Sequence, residues 1–256
     1  LNNLKIKKSI EYLDLYVNNM SEYQKKVYFM YIEYLKETNI SLRKEKEGIQ
    51  YTLLGGPLQL LNIAYPNEEF DNHKKEYTKY NQLFGDKGLK NICKSPLKKW
   101  SNIEYNNKIL EKYGRIFSNK ENGTLKKYSP KINSFIEILD KSEGIIMIYS
   151  QFIGGGCIPI GLALEEAGYD NYLTNNLFKK RPIKEKKGKY MMITGDKKLT
   201  PKKDLIKALT ICNSKENAKG EKIKVIIISK AGSEGIDFKN IRQIHILEPW
   251  YNLNRI

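Results

Sequence analysis

The run Val225-Ile226-Ile227-Ile228 constrains the fold more than any other stretch. Four consecutive β-branched apolar residues need cover on both faces, which is the position of a strand in a parallel sheet with helices on either side. The run stops at Ser229-Lys230, and small residues follow, Ala231-Gly232-Ser233-Glu234-Gly235. A second strand, Gln243 to Leu247, begins fourteen residues after the first ends. Upstream, Ser129-Pro130 reads as an N-cap with proline at the first helical position, leading a helix through Asp140. Strands are expected over Ile145–Tyr149 and Lys189–Ile193, and helices over Cys157–Ala167 and Leu199–Cys212. This alternation predicts an α/β fold, a parallel sheet flanked by helices.

In such sheets ligands gather at the carboxyl ends of the strands. Ser150-Gln151-Phe152, Thr194-Gly195-Asp196, Ser229-Lys230 and Glu248-Pro249-Trp250 fall there in step. Hydroxyls, amides and helix N-termini hold phosphates, and aromatic rings stack on bases. Gly154-Gly155-Gly156 lies between a strand and a helix but lacks GxGxxG and GxxxxGK[ST] spacing, so it reads as a flexible connector. No Walker A sequence occurs in the chain. With His73 and His245 as the two histidines, neither a Ser-His-Asp triad nor a His-ligated metal is expected. His245, inside an apolar strand, reads as a core residue.

Residues 1–129 have another texture, and a boundary is expected at 130. From Ser9 to Lys36 apolar and aromatic residues recur at helical spacing, interrupted at Met20-Ser21, where Ser21 and Gln24 suit a capping box. The tyrosines of this stripe read as amphipathic core. Ser41–Gln50 reads as a charged loop, Gly55-Gly56-Pro57 as a turn, and Leu58–Ala64 as a short helix ended by Pro66. Residues 67–130, rich in Lys and Asn, read as irregular. Their Lys98-Lys99-Trp100 triplet suits either nucleic-acid contact or a solvated loop anchored by one tryptophan.

Charge points to partners. Lys and Arg number 45 against 29 Asp and Glu, a formal net charge of +16. Such an excess favours a polyanion, although lysine also serves plain solubility. Seven cations fall within the eleven residues from Lys179 to Lys189. They suit a phosphate backbone or a solvated loop equally. Cys93, Cys157 and Cys212 form no CxxC pair, so a reducing, intracellular setting without zinc is expected. No apolar run approaches the ~20 residues of a membrane span, and no membrane partner is expected. The chain starts at Leu1 and stops at Ile256 in an incipient helix, as a piece of a longer protein would.

These residues carry a resemblance. Ile148-Tyr149-Ser150-Gln151-Phe152 resembles motif IV of the superfamily 2 helicases and Swi/Snf-type ATPases, and Ser229 to Phe238 resembles their motif V. Glu248-Pro249-Trp250-Tyr251-Asn252 is similar to the segment leading into motif VI. Upstream, Met20-Ser21 with Gln24 and Tyr28, Leu60-Asn62-Tyr65-Pro66 and Ser129-Pro130-Lys131 also fit. The Ser-Glu-Gly-Ile-Asp-Phe form of motif V, with Asp237 where chromatin remodellers usually carry Asn, is similar to the poxvirus-type group. That group includes nucleoside triphosphatase I and the ATPase subunit of the viral early transcription factor.

The resemblance implies the second RecA-like lobe of an ATP-dependent translocase, over residues 130–256, with 1–129 as a helical, loop-rich segment leading into it. ATP and Mg2+ would be bound mainly by a first lobe with Walker A and Walker B motifs, which this sequence lacks. The arginine finger would follow Ile256, so no catalytic residue is assigned and the piece alone is expected to be inactive. Ser150, Gln151, Thr194, Asp196, Ser229 and Lys230 would face nucleic acid, DNA or RNA, joined by Lys179, Lys180 and Arg181 of the basic loop. Gly235 and Asp237 would face the ATP cleft. Implied partners are the first lobe and viral RNA polymerase or transcription-factor subunits, in a virion or a viral factory of the host cytoplasm. Two other readings stand beside this one: a non-catalytic helicase-like docking module, and an unrelated nucleotide-binding enzyme such as a sugar-nucleotide transferase.

Overall fold

The computed structural model describes residues 16–38, 51–72, 76–94, 100–232 and 236–248. The expected loop at Ser41–Gln50, together with His73, Lys98, Lys99, Gly235, Pro249 and Trp250, lies outside the described residues, as does the first part of the Ser9–Lys36 helix.

Ser21 starts α1 (Glu22–Thr38), its Oγ accepting from the Gln24 amide at 3.0 Å. The Gln24 side chain does not turn back to close a capping box. Its Nε2 donates to the Leu60 carbonyl at 2.7 Å, fastening α1 to α2 (Tyr51–Asn62). The turn expected at Gly55-Gly56-Pro57 does not form, because α2 runs straight through it. Gly56 lies against the Tyr31 and Phe84 rings, where a side chain would collide, so packing on α1 outweighs the helix-breaking residues.

The described residues between 67 and 130 are not irregular. They hold α3 (Glu68–Asn72), α4 (Gly85–Ile92), α5 (Asn107–Tyr113) and α6 (Leu125–Tyr128). Phe70, Leu89, Ile92, Ile103, Ile116, Phe117, Leu125 and Tyr128 are all buried. Each helix is too short for a periodic signal, and the apolar residues are spaced among Lys and Asn. Tertiary packing orders the segment, and local propensity does not.

Ser129 caps α7 (Pro130–Leu139), accepting from the Ile132 amide at 3.2 Å. β1 (Ile145–Tyr149), α8 (Ile158–Ala167), β2 (Tyr169–Asn171), β3 (Gly188–Ile193), α9 (Lys202–Cys212), β4 (Val225–Ile228) and β5 (Ile241–Ile246) follow. The five strands pair in parallel in the order β2-β3-β4-β1-β5. Alternate residues divide the sheet between two apolar layers. Ile146, Ile148, Tyr190, Met192, Val225 and Ile227 face α7, α8 and the upstream helices. Ile145, Met191, Ile193, Ile226 and Ile228 face the α9 residues Ala208 and Cys212. The first layer also contains Ile63, Leu89, Phe117 and Tyr128, so residues on both sides of 130 share one core. The protein is an α/β, RecA-like parallel sheet flanked by helices and preceded by a helical segment.

Candidate nucleic-acid and nucleotide edge

The register sets the carboxyl ends of β1, β3, β4 and β5 side by side. Ser150 N donates to Ile228 O at 3.1 Å, Ser229 N to Ile193 O at 2.9 Å, and Leu247 N to Tyr149 O at 2.9 Å. Ser150, Gln151, Thr194, Asp196, Ser229 and Lys230 therefore meet on one edge, but their side chains differ in access. Ser150 is 0 % exposed, Ser229 2 % and Thr194 7 %. Gln151 and Asp196 are partly exposed, and Lys230 is exposed. A ligand approaching from solvent meets Gln151, Asp196 and Lys230, with the hydroxyls beneath.

The buried hydroxyls have internal work. Ser150 Oγ donates to Glu248 Oε1 at 2.7 Å, and the Gln151 amide donates to Glu248 Oε2 at 2.9 Å. Asn62 Nδ2, from the end of α2, donates to the same Oε1 and to Gly155 O. Lys131 Nζ reaches Asn62 Oδ1 at 3.3 Å and Leu247 O at 2.8 Å. Burial raises the Glu248 pKa, tempered by the Ser150, Gln151 and Asn62 donors and the nearby Lys131 charge, while burial lowers that of Lys131. Thr194 is held by Thr200, whose Oγ1 accepts the Thr194 amide at 2.8 Å. Ser229 Oγ has no hydrogen-bonding partner among the described residues.

The Gly154-Gly155-Gly156 connector is neither flexible nor a phosphate cradle. Ile153–Cys157 forms a buried π-helical turn entering α8. A methyl group on Gly154 would collide with Asp86, one on Gly155 with Gln59, and one on Gly156 with Ser150. Helices α2 and α4 fill the space that a phosphate would take. Cys157 is buried with Cys93 and Cys212, and all three are free thiols.

The basic loop lies elsewhere. Ile103 N donates to Leu177 O and Lys179 N to Ile103 O, so the start of the loop is fastened to the segment that precedes α5. Three of its cations are paired: Lys179 with Glu104, Arg181 with Asp170, and Lys187 with Asp140. Lys180 is exposed beside them. Buried Glu165 anchors the loop, accepting the Leu177 and Phe178 amides at 2.6 and 2.9 Å. Lys179, Lys180 and Arg181 are thus not among the strand-end residues.

Asp237 is exposed beyond β4, and its carbonyl accepts from Asn213 Nδ2 at 3.0 Å. Asn213 follows α9, and Asn240, just before β5, bonds to the Cys212 and Ser214 carbonyls. Asp237 therefore lies toward the amino edge of the sheet and away from Lys230, and the described residues build no enclosing cradle for a triphosphate. Among the described residues no group of three His, Cys, Asp or Glu is arranged to hold a metal. No described helix is long and apolar enough to cross a membrane. His245 is partly buried, packed edge-on against Phe135 at 5.2 Å between ring centroids.

One contact left no trace in the sequence. Trp100 Nε1 donates to Asp196 Oδ2 at 3.0 Å across 96 positions, tying the lysine-rich upstream loop to the end of β3.

No family model matches the chain. A protein named termination factor NPH-I homolog, from African swine fever virus, is 32% identical over 154 residues, covering 50% of this chain and 21% of that protein. A protein of Acanthamoeba polyphaga mimivirus, provisionally named an ATP-dependent RNA helicase, is 31% identical over 160 residues, with coverage of 61% and 26%. An uncharacterized killer-plasmid helicase of Kluyveromyces lactis is 31% identical over 141 residues, with coverage of 54% and 22%. The chain spans about a fifth to a quarter of the length of these curated relatives. In its strand-end motifs, its parallel sheet and the sequence of about half its length, the chain resembles the superfamily 2 helicases of large DNA viruses.

Proposed function

We propose that this chain is the second lobe of an ATP-dependent, nucleic-acid-stimulated helicase or translocase that acts in the transcription of a large DNA virus. The observation that carries the reading is the alignment of four strand ends, β1, β3, β4 and β5, on one edge, three of which, β1, β4 and β5, end in segments that resemble those of the helicases. Nucleic acid runs across this edge past Gln151 and Lys230, with Lys180 and its neighbours on the β2 loop as an auxiliary contact. Ser150 and Thr194 act from beneath by fixing the turns, and Ser229 lies under Lys230 in the same turn.

ATP and Mg2+ are held mainly by a first lobe carrying the phosphate-binding lysine and the acidic metal ligand. Asp237 and Gly235 line the cleft from this side. Lys230, just past the carboxyl end of β4, and Asp237, whose carbonyl accepts from Asn213 after α9, belong to the one connection between β4 and β5. Movement of that connection on lobe closure links nucleic-acid contact to nucleotide contact.

The test uses a longer protein that contains both lobes. There Asp237→Ala leaves nucleic-acid affinity and melting temperature near the parent values and strongly reduces stimulated ATP turnover. The chain alone shows no ATPase activity. A two-lobe protein without nucleic-acid-stimulated turnover would favour a docking module instead, and a stable Asp237→Ala protein with unaltered stimulation would remove the coupling role.

A further inference from the structure

A bulky side chain in the left-handed region is uncommon and strained. Trp100 has φ +49 and Asn102, two residues on, φ +58. The surrounding contacts hold the tryptophan there. Its indole N–H donates to Asp196 Oδ2 at 3.0 Å, and its ring packs against the main apolar layer while remaining partly exposed.

Asp196 is in turn rigidly set. Its Oδ1 accepts the Lys198 amide at 2.8 Å, its own amide donates to Thr194 Oγ1 at 3.2 Å, and its carbonyl accepts the Leu199 and Thr200 amides. A carboxylate on a surface that meets phosphates is electrostatically misplaced. Here both of its oxygens are occupied, one by its own turn and one by the indole. Lys197 and Lys198 beside it are exposed. Across the edge, a Cβ on Gly195 would stand 2.9 Å from Ala231, so exposed Lys230 belongs to the same patch. A partly exposed aromatic ring whose orientation is fixed by a hydrogen bond to a turn that carries two exposed lysines is an arrangement that takes an unstacked base.

We propose that Trp100 is a base-stacking residue for single-stranded nucleic acid and that Asp196 is its positioning residue. The proposal rests on the carboxyl edge meeting nucleic acid, and adds that bases are gripped there as well as phosphates.

The experiment measures binding of the full chain to a fluorescently labelled oligothymidylate, to an abasic phosphodiester of equal length, and to duplex DNA, while following tryptophan emission with unlabelled strands. Oligothymidylate is expected to quench emission in the parent protein, and this quench is absent in Trp100→Phe. Trp100→Ala lowers affinity for oligothymidylate by about 5- to 100-fold, to the level of the abasic strand, with an unchanged salt slope. Trp100→Phe keeps a ring but loses the N–H held by Asp196. Its affinity for oligothymidylate is expected to fall between those of the parent and Trp100→Ala, while its binding to the abasic strand is unchanged. A Trp100→Phe protein that binds oligothymidylate like the parent would remove the positioning role of Asp196. Equal losses for the base-bearing and abasic strands in Trp100→Ala, or a parent protein that prefers the duplex, would overturn the proposal and leave Trp100 as a loop anchor. Quenching by free ATP to the same extent as by the strand overturns it in favour of a mononucleotide. Failure of the parent to bind any strand would instead remove the nucleic-acid reading of the edge, and stacking with it.

Discussion

Asn62, at the end of α2, and Glu248, at the end of β5, share a hydrogen bond in the interior across 186 positions of sequence. The same Asn62 amide also reaches Gly155, and the same carboxylate holds Ser150 and Gln151. One amide and one carboxylate thus fix the upstream helices, the π-turn and the ends of β1 and β5 to each other. A buried polar group that loses its partner is destabilising by about 1–3 kcal/mol.

Asn62→Ala is therefore expected to lower unfolding free energy by about 1–3 kcal/mol in denaturant titration. Asn62→Asp is expected to be worse near neutral pH, since it sets a second carboxylate against Glu248, and to recover as the pH falls. A stability difference between Asn62→Asp and the parent that is the same at pH 5 and at pH 8 would show that the two groups do not interact.

Gly156→Ala separates a packed turn from a connector. At a free connector, alanine would stabilise by about 0.4–1 kcal/mol through the unfolded chain. Here the methyl group meets Ser150 Oγ, so a loss of about 1–3 kcal/mol is expected, with displacement of the Ser150–Glu248 contact. A variant at least as stable as the parent would contradict the described turn.

Glu165 gives the stability a pH dependence. Burial raises its pKa to about 7 from a usual 4.5, against the opposing donors Tyr190, Phe178 and Leu177. The folded state then holds a proton that the unfolded state releases between those two values. Its contribution is fully present below about pH 4.5 and is lost as the pH rises through about 7, by roughly 3 kcal/mol at most. Chemical unfolding at a series of pH values should show stability falling across this window, and Glu165→Gln should flatten that fall. A parent slope of the opposite sign would mean that the three donors outweigh burial.

The strands were legible where both faces are buried. Ile145–Tyr149 and Val225–Ile228 are unbroken apolar runs because helices cover the sheet on both sides. β2 is Tyr169-Asp170-Asn171, three residues with two polar side chains, and nothing local marks it as a strand. The upstream helices were hidden for a different reason. Gly85–Ile92 holds two glycines and two lysines, and only its seat against Tyr65 and Leu83 makes it a helix. At the edge, the residue types at strand ends could be read directly, but access could not. That Ser150 points inward to Glu248 and that Asp196 holds Trp100 depend on pairings of residues 98 and 96 positions apart. Such pairings have no period and no neighbour signal.

The strand order has a consequence for how the chain is made. β1 lies between β4 and β5, and both of its partners come from residues after 224. As the polypeptide leaves the ribosome, Ile145-Ile146-Met147-Ile148-Tyr149 emerges long before either neighbour exists. Through that interval it is an apolar ribbon with two open hydrogen-bonding edges, the kind of segment that pairs with whatever strand is nearest. The same order makes β4, the fourth strand synthesised, the one that joins β3 to β1 at the centre of the sheet, and β5 the one that covers the remaining edge of β1. A chain cut short before Val225 would therefore lack the middle of its sheet, and would be a substrate for chaperones or for aggregation.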